Sequence, residues 1–334
     1  MGCVEVNKTD SQPPNIVLFF VDDMGWQDTS LPFWDQLTDF NKIYKTPHME
    51  RLAKKGVKFT NAYATPVCSP TRVSLMTGMN AARHRVTNWT LKPDQKQPME
   101  LNHPSLEFPD WNYNGIGLDP STANTAFAKP LPQLLSDNGY YTIHAGKAHF
   151  GAIGYPSSNP LNLGFKVNIA GHAAGAPESY LGRENFGNGK IGKEVWAVPG
   201  LEKYHGQDLF LTEALTQEVL TALDKPILDK QPFFIYFALY GLHTPLMAND
   251  RLVEPYRKMG LEEPEARYAS MIESMDEALG NVLNYLEEND QEDNTVILFM
   301  SDNGGLSAVA RGGEKHTHNL PLKSGKGSIY EGGI

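Results

Sequence analysis

Four short runs of apolar β-formers constrain the fold of this chain more than any other feature. They are Asn15-Ile16-Val17-Leu18-Phe19-Phe20-Val21 and residues 140–145, 232–238 and 295–300. A continuous run such as the first, with no polar alternation, is expected of a strand covered on both faces. Helical signals alternate with these strands. Thr46-Pro47-His48-Met49-Glu50 offers a cap, a proline at the first helical position and an acidic first turn, so a helix should run to Gly56. Residues 131–138, closed by Gly139, and 209–223 read as further helices. The longest should cover 264–288, where Tyr268, Met271, Ile272, Met275, Leu279, Val282 and Leu286 share one face. Residues 57–62 read as one more strand. The alternation predicts an α/β fold with a mostly parallel central sheet sandwiched by helices.

Composition narrows the function classes. The 334 residues are 40% hydrophobic and 20% charged, enough for a substantial core. A net charge of −10 argues against a nucleic-acid binder, which needs excess Lys and Arg, but still allows a local cationic pocket for a small anion. No apolar run reaches the ~18 residues of a membrane-spanning helix. With only Cys3 and Cys68, a disulfide framework is not expected. Residues 1–14 read as a polar, disordered leader; Met1-Gly2-Cys3 could be a lipid-anchored cysteine whose signal has been trimmed, or simply a tail. Two stretches, 80–129 and 152–206, show no sustained period and read as functional loops.

Chemistry concentrates at Cys68-Ser69-Pro70-Thr71-Arg72, followed by Val73-Ser74-Leu75-Met76-Thr77-Gly78. Pro70 suits the first turn of a helix, and Ser69 or Thr71 can satisfy free amides there, which puts Cys68 just ahead of a helix N-terminus. Free amides, roughly half a positive charge and Arg72 make that position favourable for anions. A reactive thiolate is one reading. A buried free cysteine before an ordinary helix is the other, and spacing alone favours it.

Several strands end in polar groups followed by Gly or Pro: Asp22-Asp23, Lys147 with His149, His243, and Asp302-Asn303. In open α/β sheets ligands bind beyond the carboxyl ends of the strands, so these groups should meet in one crevice. Asp22, Asp23, Asp302 and Asn303 are hard oxygen donors without thiolate or imidazole, which fits Ca²⁺, with Mg²⁺ second, and argues against zinc. Two adjacent aspartates closing a buried strand repel unless a cation or strong donors offset them.

In order along the chain, Asp22-Asp23, Cys68-x-Pro70-x-Arg72, Gly146-Lys147-x-His149, His243-x-Pro245, Ser301-Asp302-Asn303-Gly304-Gly305 and Gly325-Lys326-Gly327-x-x-Tyr330-Glu331-Gly332-Gly333 all resemble motifs of the type I, formylglycine-dependent sulfatases. The likeness runs from Asn15 to Ile334. It implies an alkaline-phosphatase-like fold, a catalytic domain over 15–334 without the family's small C-terminal subdomain, and an apolar edge left exposed near the C-terminus. It implies calcium on Asp22, Asp23, Asp302 and Asn303, and Cys68 oxidised to Cα-formylglycine by a dedicated maturation enzyme, its hydrate also facing the metal. Arg72 and Lys147 would hold that hydrate and the sulfate, Lys326 and His243 the sulfate and leaving oxygen, and His149 would deprotonate the second hydroxyl to expel sulfate. Such chemistry needs positive charge where sulfate and leaving alcohol turn negative.

The activity expected from the resemblance is sulfate-ester hydrolysis, on a sulfated carbohydrate because the irregular stretches are long enough to build a sugar pocket, and at an exported location. Trp89, Trp111 and Tyr113 could stack on sugar rings, and His103, His172, Arg183, His205, Arg311, His316 and His318 could read hydroxyls or further sulfates. Two alternatives stand beside it: a phosphate or phosphonate monoester hydrolase of the same superfamily, and a non-catalytic binder of sulfated glycans.

Overall fold

In the computed structural model, which describes residues 12–96, 104–107, 109–306 and 318–334, the elements follow the order β1 (Asn15–Val21), α1 (Asp39–Ile43), α2 (Pro47–Lys55), α3 (Cys68–Thr77), α4 (Ala81–His84), β2 (Ile116–Gly117), β3 (Ala126–Phe127), α5 (Leu131–Asp137), β4 (Tyr141–Gly146), β5 (Val167–Ile169), α6 (Leu211–Leu228), β6 (Phe233–Ala238), α7 (Val253–Lys258), α8 (Glu263–Glu288) and β7 (Thr295–Ser301). Five strands form one parallel sheet in the order β5-β4-β6-β1-β7. The fold is α/β with a mostly parallel sheet flanked by helices, as the sequence implied.

Alternating side chains of the central strands feed two separate cores. Val17, Phe19, Val21, Phe233, Ile235 and Phe237 pack with α6 and α8, while Leu18, Phe20, Phe234, Tyr236 and Ala238 pack with Val73 and Met76 of α3. Both faces of β1 and β6 are therefore dry, which is why these runs carry no polar alternation. The stripe read on the long helix lies in the first core: Tyr268, Met271, Ile272, Met275, Leu279, Val282 and Leu286 are all buried. β7 is an edge strand, and its outer face leaves Val296 46% and Leu298 48% exposed.

Three local expectations are corrected. Residues 57–62 form no strand; no strand among the described residues lies beside them, and Val57 and Phe59 stand in solvent. β-propensity without a hydrogen-bonded partner does not make a strand. The short β5 inside the irregular stretch 152–206 was not foreseen, nor were α1, α4, α7 and the β2–β3 pair. Helix α3 starts at Cys68 itself and lacks a side-chain cap. Thr71 instead accepts from the Thr65 amide at 2.9 Å, and Ser69 from the Thr90 amide at 3.1 Å, so both tie neighbouring loops to the helix.

Thr46 likewise makes no cap on α2. That role falls to Asp276 of α8, whose carboxylate accepts from the amides of His48 at 2.9 Å and Met49 at 2.8 Å. Asp276→Ala leaves two helix-terminal amides without their acceptor and is expected to lower unfolding stability by about 1–3 kcal/mol in urea titrations. A loss below about 0.5 kcal/mol would assign the cap to another group.

Candidate active site

Backbone hydrogen bonds carry the sheet past its last residues and fix the loops that hold the site. Asp302 N donates to Val21 O at 3.0 Å, Asp22 N to Gly241 O at 3.0 Å, and Lys147 N to Ala238 O at 2.7 Å. At Gly146 (φ +90°) a Cβ would sit 1.9 Å from Ala238 O, so only glycine lets β4 deliver Lys147 this close to β6. Gly304 is equally constrained: a Cβ there would meet Gly332 O at 1.8 Å, where the C-terminal segment lies against the turn after β7.

These ends converge as the sequence implied. One ligand atom each from Asp22, Asp23, Cys68 and Asp302 lies within 4.8 Å of all the others, and every one of these residues is buried. Asp22 Oδ1 is 3.7 Å from Cys68 Sγ. Asp302 Oδ1 accepts from the Asp23 amide at 3.2 Å, and Asn303 Nδ2 donates to Asp23 Oδ1 at 2.8 Å. Three cations close in on the carboxylates. Arg72 donates through Nε (3.1 Å) and Nη2 (2.9 Å) to Asp302, reaches Asp22 at 3.4 Å, and gives Nη1 to Lys147 O at 2.8 Å. Lys147 Nζ contacts Asp22, and Lys326 Nζ bridges both oxygens of Asp23 at 2.6 and 2.7 Å.

The charges shift each other strongly. Burial, then the neighbouring Asp302, pushes the Asp22 carboxyl up to about 8 despite Lys147. Asp23 is just as dry, yet Lys326, His243 and Lys147 hold it far below the usual carboxylate range. Burial and the Asp22 carboxylate push the Cys68 thiol up to about 12. At neutral pH it is a protonated thiol, not the thiolate that the helix N-terminus alone would favour.

Of the two histidines, His149 lies deep. Its Nε2 is 2.7 Å from Thr90 O, its Nδ1 is buried without a hydrogen-bond partner, and burial with Lys147 and Arg72 nearby keeps the ring neutral. His243 is partly exposed, with Nδ1 2.7 Å from Thr244 O and Nε2 3.8 Å from Asp23. Desolvation and Lys326 lower it to about 3.

Among the described residues, those suggested for substrate reading make separate contacts. His318 stacks on Phe40 with ring centroids 3.4 Å apart and pairs with Glu265 at 3.1 Å, a packing role. Arg183 pairs at the surface with Asp208 and Asp250. His205 is seated against Phe186, and His172 against Tyr240 with its carbonyl accepting from the His149 amide. Trp89, Trp111 and Tyr113 are half-buried in the loop 80–129. His103, Arg311, His316 and Cys3 fall outside the described residues.

The sequence reading missed the groups behind the site. Tyr180 Oη lies 2.7 Å from the carbonyls of both Tyr240 and His243, holding the loop after β6. Ser301 Oγ accepts from the Met24 amide and donates to Asn303 O. Asn319 donates to Gly305 O and accepts from the amides of Gly305 (3.0 Å) and Trp26 (3.4 Å), so it pins residues 305 and 319 together. Only Ser301 stood in a recognisable motif.

The architecture is that of the alkaline-phosphatase-like α/β class. A family model described as Sulfatase matches residues 14–332, and the chain belongs to that family. It is 28% identical to mouse (Mus musculus) arylsulfatase J over 99% of this chain and 48% of that protein. With human (Homo sapiens) N-acetylgalactosamine-6-sulfatase it shares 29% identity over 97% of this chain and 56% of that protein. The crystal structure of Ps i-CgsB superposes with a TM-score of 0.73 at 30% identity, covering 96% of this chain and 64% of that one. The chain thus spans about half to two thirds of the length of these relatives. Members of the family generally use a metal ion and a formylglycine.

The residues present fit a metal ion. Asn303 Oδ1, an acceptor buried without a donor, belongs to the residue whose amide nitrogen already donates to Asp23, and the three carboxylates are hard oxygen donors. Where position 68 carries a thiol, iodoacetamide at pH 8 is expected to leave Cys68 unmodified in the native protein and to alkylate it after denaturation, as read by peptide mass mapping. Fast native labelling would contradict the protonated, sequestered thiol.

Proposed function

We propose that the protein hydrolyses sulfate esters, using a formylglycine made from Cys68 by a maturation enzyme and a calcium ion held by Asp22, Asp23, Asp302 and Asn303. The observation that carries this reading is the meeting of position 68 with three buried carboxylates and two buried lysine ammonium groups, in a site walled by neutral histidines. An ester hydrolase acting on a monoanion needs both a nucleophile and concentrated positive charge.

When present, the ion supplies Lewis-acid stabilisation of developing negative charge, and the oxidised side chain supplies a hydrated aldehyde as nucleophile. The chain's own residues do the rest. Arg72 is committed on all sides to Asp302, Asp22 and the Lys147 carbonyl, so its work is to hold the metal ligands in register. Lys147 and Lys326 are the donors left for sulfate oxygens. In this reading His149, neutral and with Nδ1 unpartnered, takes the proton from the hydrate. For the leaving alcohol, Lys326 carries protons at neutral pH, whereas His243 must first gain one.

A sulfated carbohydrate is the proposed substrate. Support comes from Ps i-CgsB, also solved with k-i-k-neocarrahexaose, which matches at 29% identity and a TM-score of 0.69, and from the N-acetylgalactosamine-6-sulfatases. The reading carries an exported location. Among the described residues no helix is long and apolar enough to cross a membrane.

Two measurements test it. Intact-mass analysis of protein from a host with the maturation enzyme should show the thiol of Cys68 replaced by an aldehyde. That protein should release sulfate from sulfated oligosaccharides faster than phosphate from matched esters, with Cys68→Ala inactive and Lys326→Ala slower by about 10²–10³-fold in kcat. Equal rates for Cys68→Ala and the parent protein would refute the assignment.

A further inference from the structure

The site sets three acids against three bases. Asp22, Asp23 and Asp302 stand against Arg72, Lys147 and Lys326, all six buried. Arg72 is held in place by the Lys147 carbonyl and by stacking over Phe20 at 4.9 Å, so its guanidinium is fixed. The lysines differ. Each ends a flexible four-carbon stem, and among the described residues their ammonium groups make polar contact with the aspartates: Lys147 on Asp22, Lys326 on both oxygens of Asp23. Those oxygens are the hard donors that would hold a dication. An ammonium and a dication on one carboxylate repel, and a carboxylate oxygen has few lone pairs to share.

We infer that metal and anion binding at this site are coupled through a hand-over of Lys147 and Lys326. A divalent cation takes Asp22 and Asp23 from the two ammonium groups, which turn to the anion. The inference rests on the proposed reading of these four oxygen donors as a metal site. With the dication bound and all three carboxylates ionised against it, the cluster carries a surplus of two positive charges, which matches a sulfate dianion. Before it binds, an anion meets ammonium groups that the aspartates already engage. The anion then also strengthens the metal site, because it holds the displaced lysines away from the carboxylates, and linkage makes the two effects equal.

Isothermal titration calorimetry on the whole protein tests this without turnover, using Ca²⁺ as one ligand and inorganic sulfate as the other. Sulfate is expected to raise Ca²⁺ affinity by about 5–150-fold, and Ca²⁺ to raise sulfate affinity by the same factor. Lys326→Ala and Lys326→Gln should bind Ca²⁺ more tightly than the parent protein without sulfate, since a competitor for Asp23 is gone, and should lose much of the gain that sulfate brings. Thermal shifts with and without Ca²⁺ give the same ranking if a variant is less stable. Ca²⁺ binding that is indifferent to sulfate, or weakened in both lysine variants, overturns the hand-over while leaving the metal site standing. Failure of both Ca²⁺ and Mg²⁺ to bind overturns the metal reading and the hand-over together.

Discussion

The arrangement depends on three carboxylates that no strand end could hold together unaided. Asp22, Asp23 and Asp302 lie within a few ångströms of one another in a dry pocket, where like charges cost far more than at a surface. Arg72, Lys147 and Lys326 offset that cost, and they come from α3, from the end of β4 and from the C-terminal segment. The site therefore joins parts of the chain up to about 300 residues apart, as the Lys326–Asp23 pair shows at a separation of 303. Removing one of these cations does not trim a contact; it leaves a buried anion uncompensated.

The sheet makes this convergence possible because its hydrogen bonding does not stop at the strand termini. Peptide groups of Asp22, Lys147, Leu242 and Asp302 continue the ladder between neighbouring strands. Chemistry-bearing side chains are thus attached to the stiffest part of the molecule, while Tyr180, Ser301 and Asn319 brace the turns just beyond it. The glycines at 146 and 304 serve the same end by letting backbones approach where any side chain would collide.

What could be read from the sequence was what rests on composition or on a charge conflict. β1 and β6 were legible because both of their faces are buried, and Asp22-Asp23 because two anions closing an apolar strand demand an explanation. Less visible were features fixed by partners far along the chain. The cap of α2 is Asp276, 228 positions from the amide it accepts, and Tyr180 acts on a carbonyl 63 positions away. β5 has three residues, too few to show a period. Residues 57–62 erred in the other direction, since among the described residues their β-formers have no strand beside them. Cys68 opens the helix instead of preceding it. Of its two readings the buried free cysteine, which spacing alone favoured, is the one the structure matches, because desolvation and the Asp22 carboxylate outweigh the helix end and the nearby ammonium groups.

The Asn319 clasp has a consequence for the electrostatics of the pocket. By bonding both the amide and the carbonyl of Gly305 and accepting from the Trp26 amide, with the His318 amide on Asp28 and its ring on Phe40, it fastens the turn after β7 to the loop after β1. Asp302 and Asn303 are thereby steadied by a tether that carries no charge, and the balance of acids and bases beside them is left untouched.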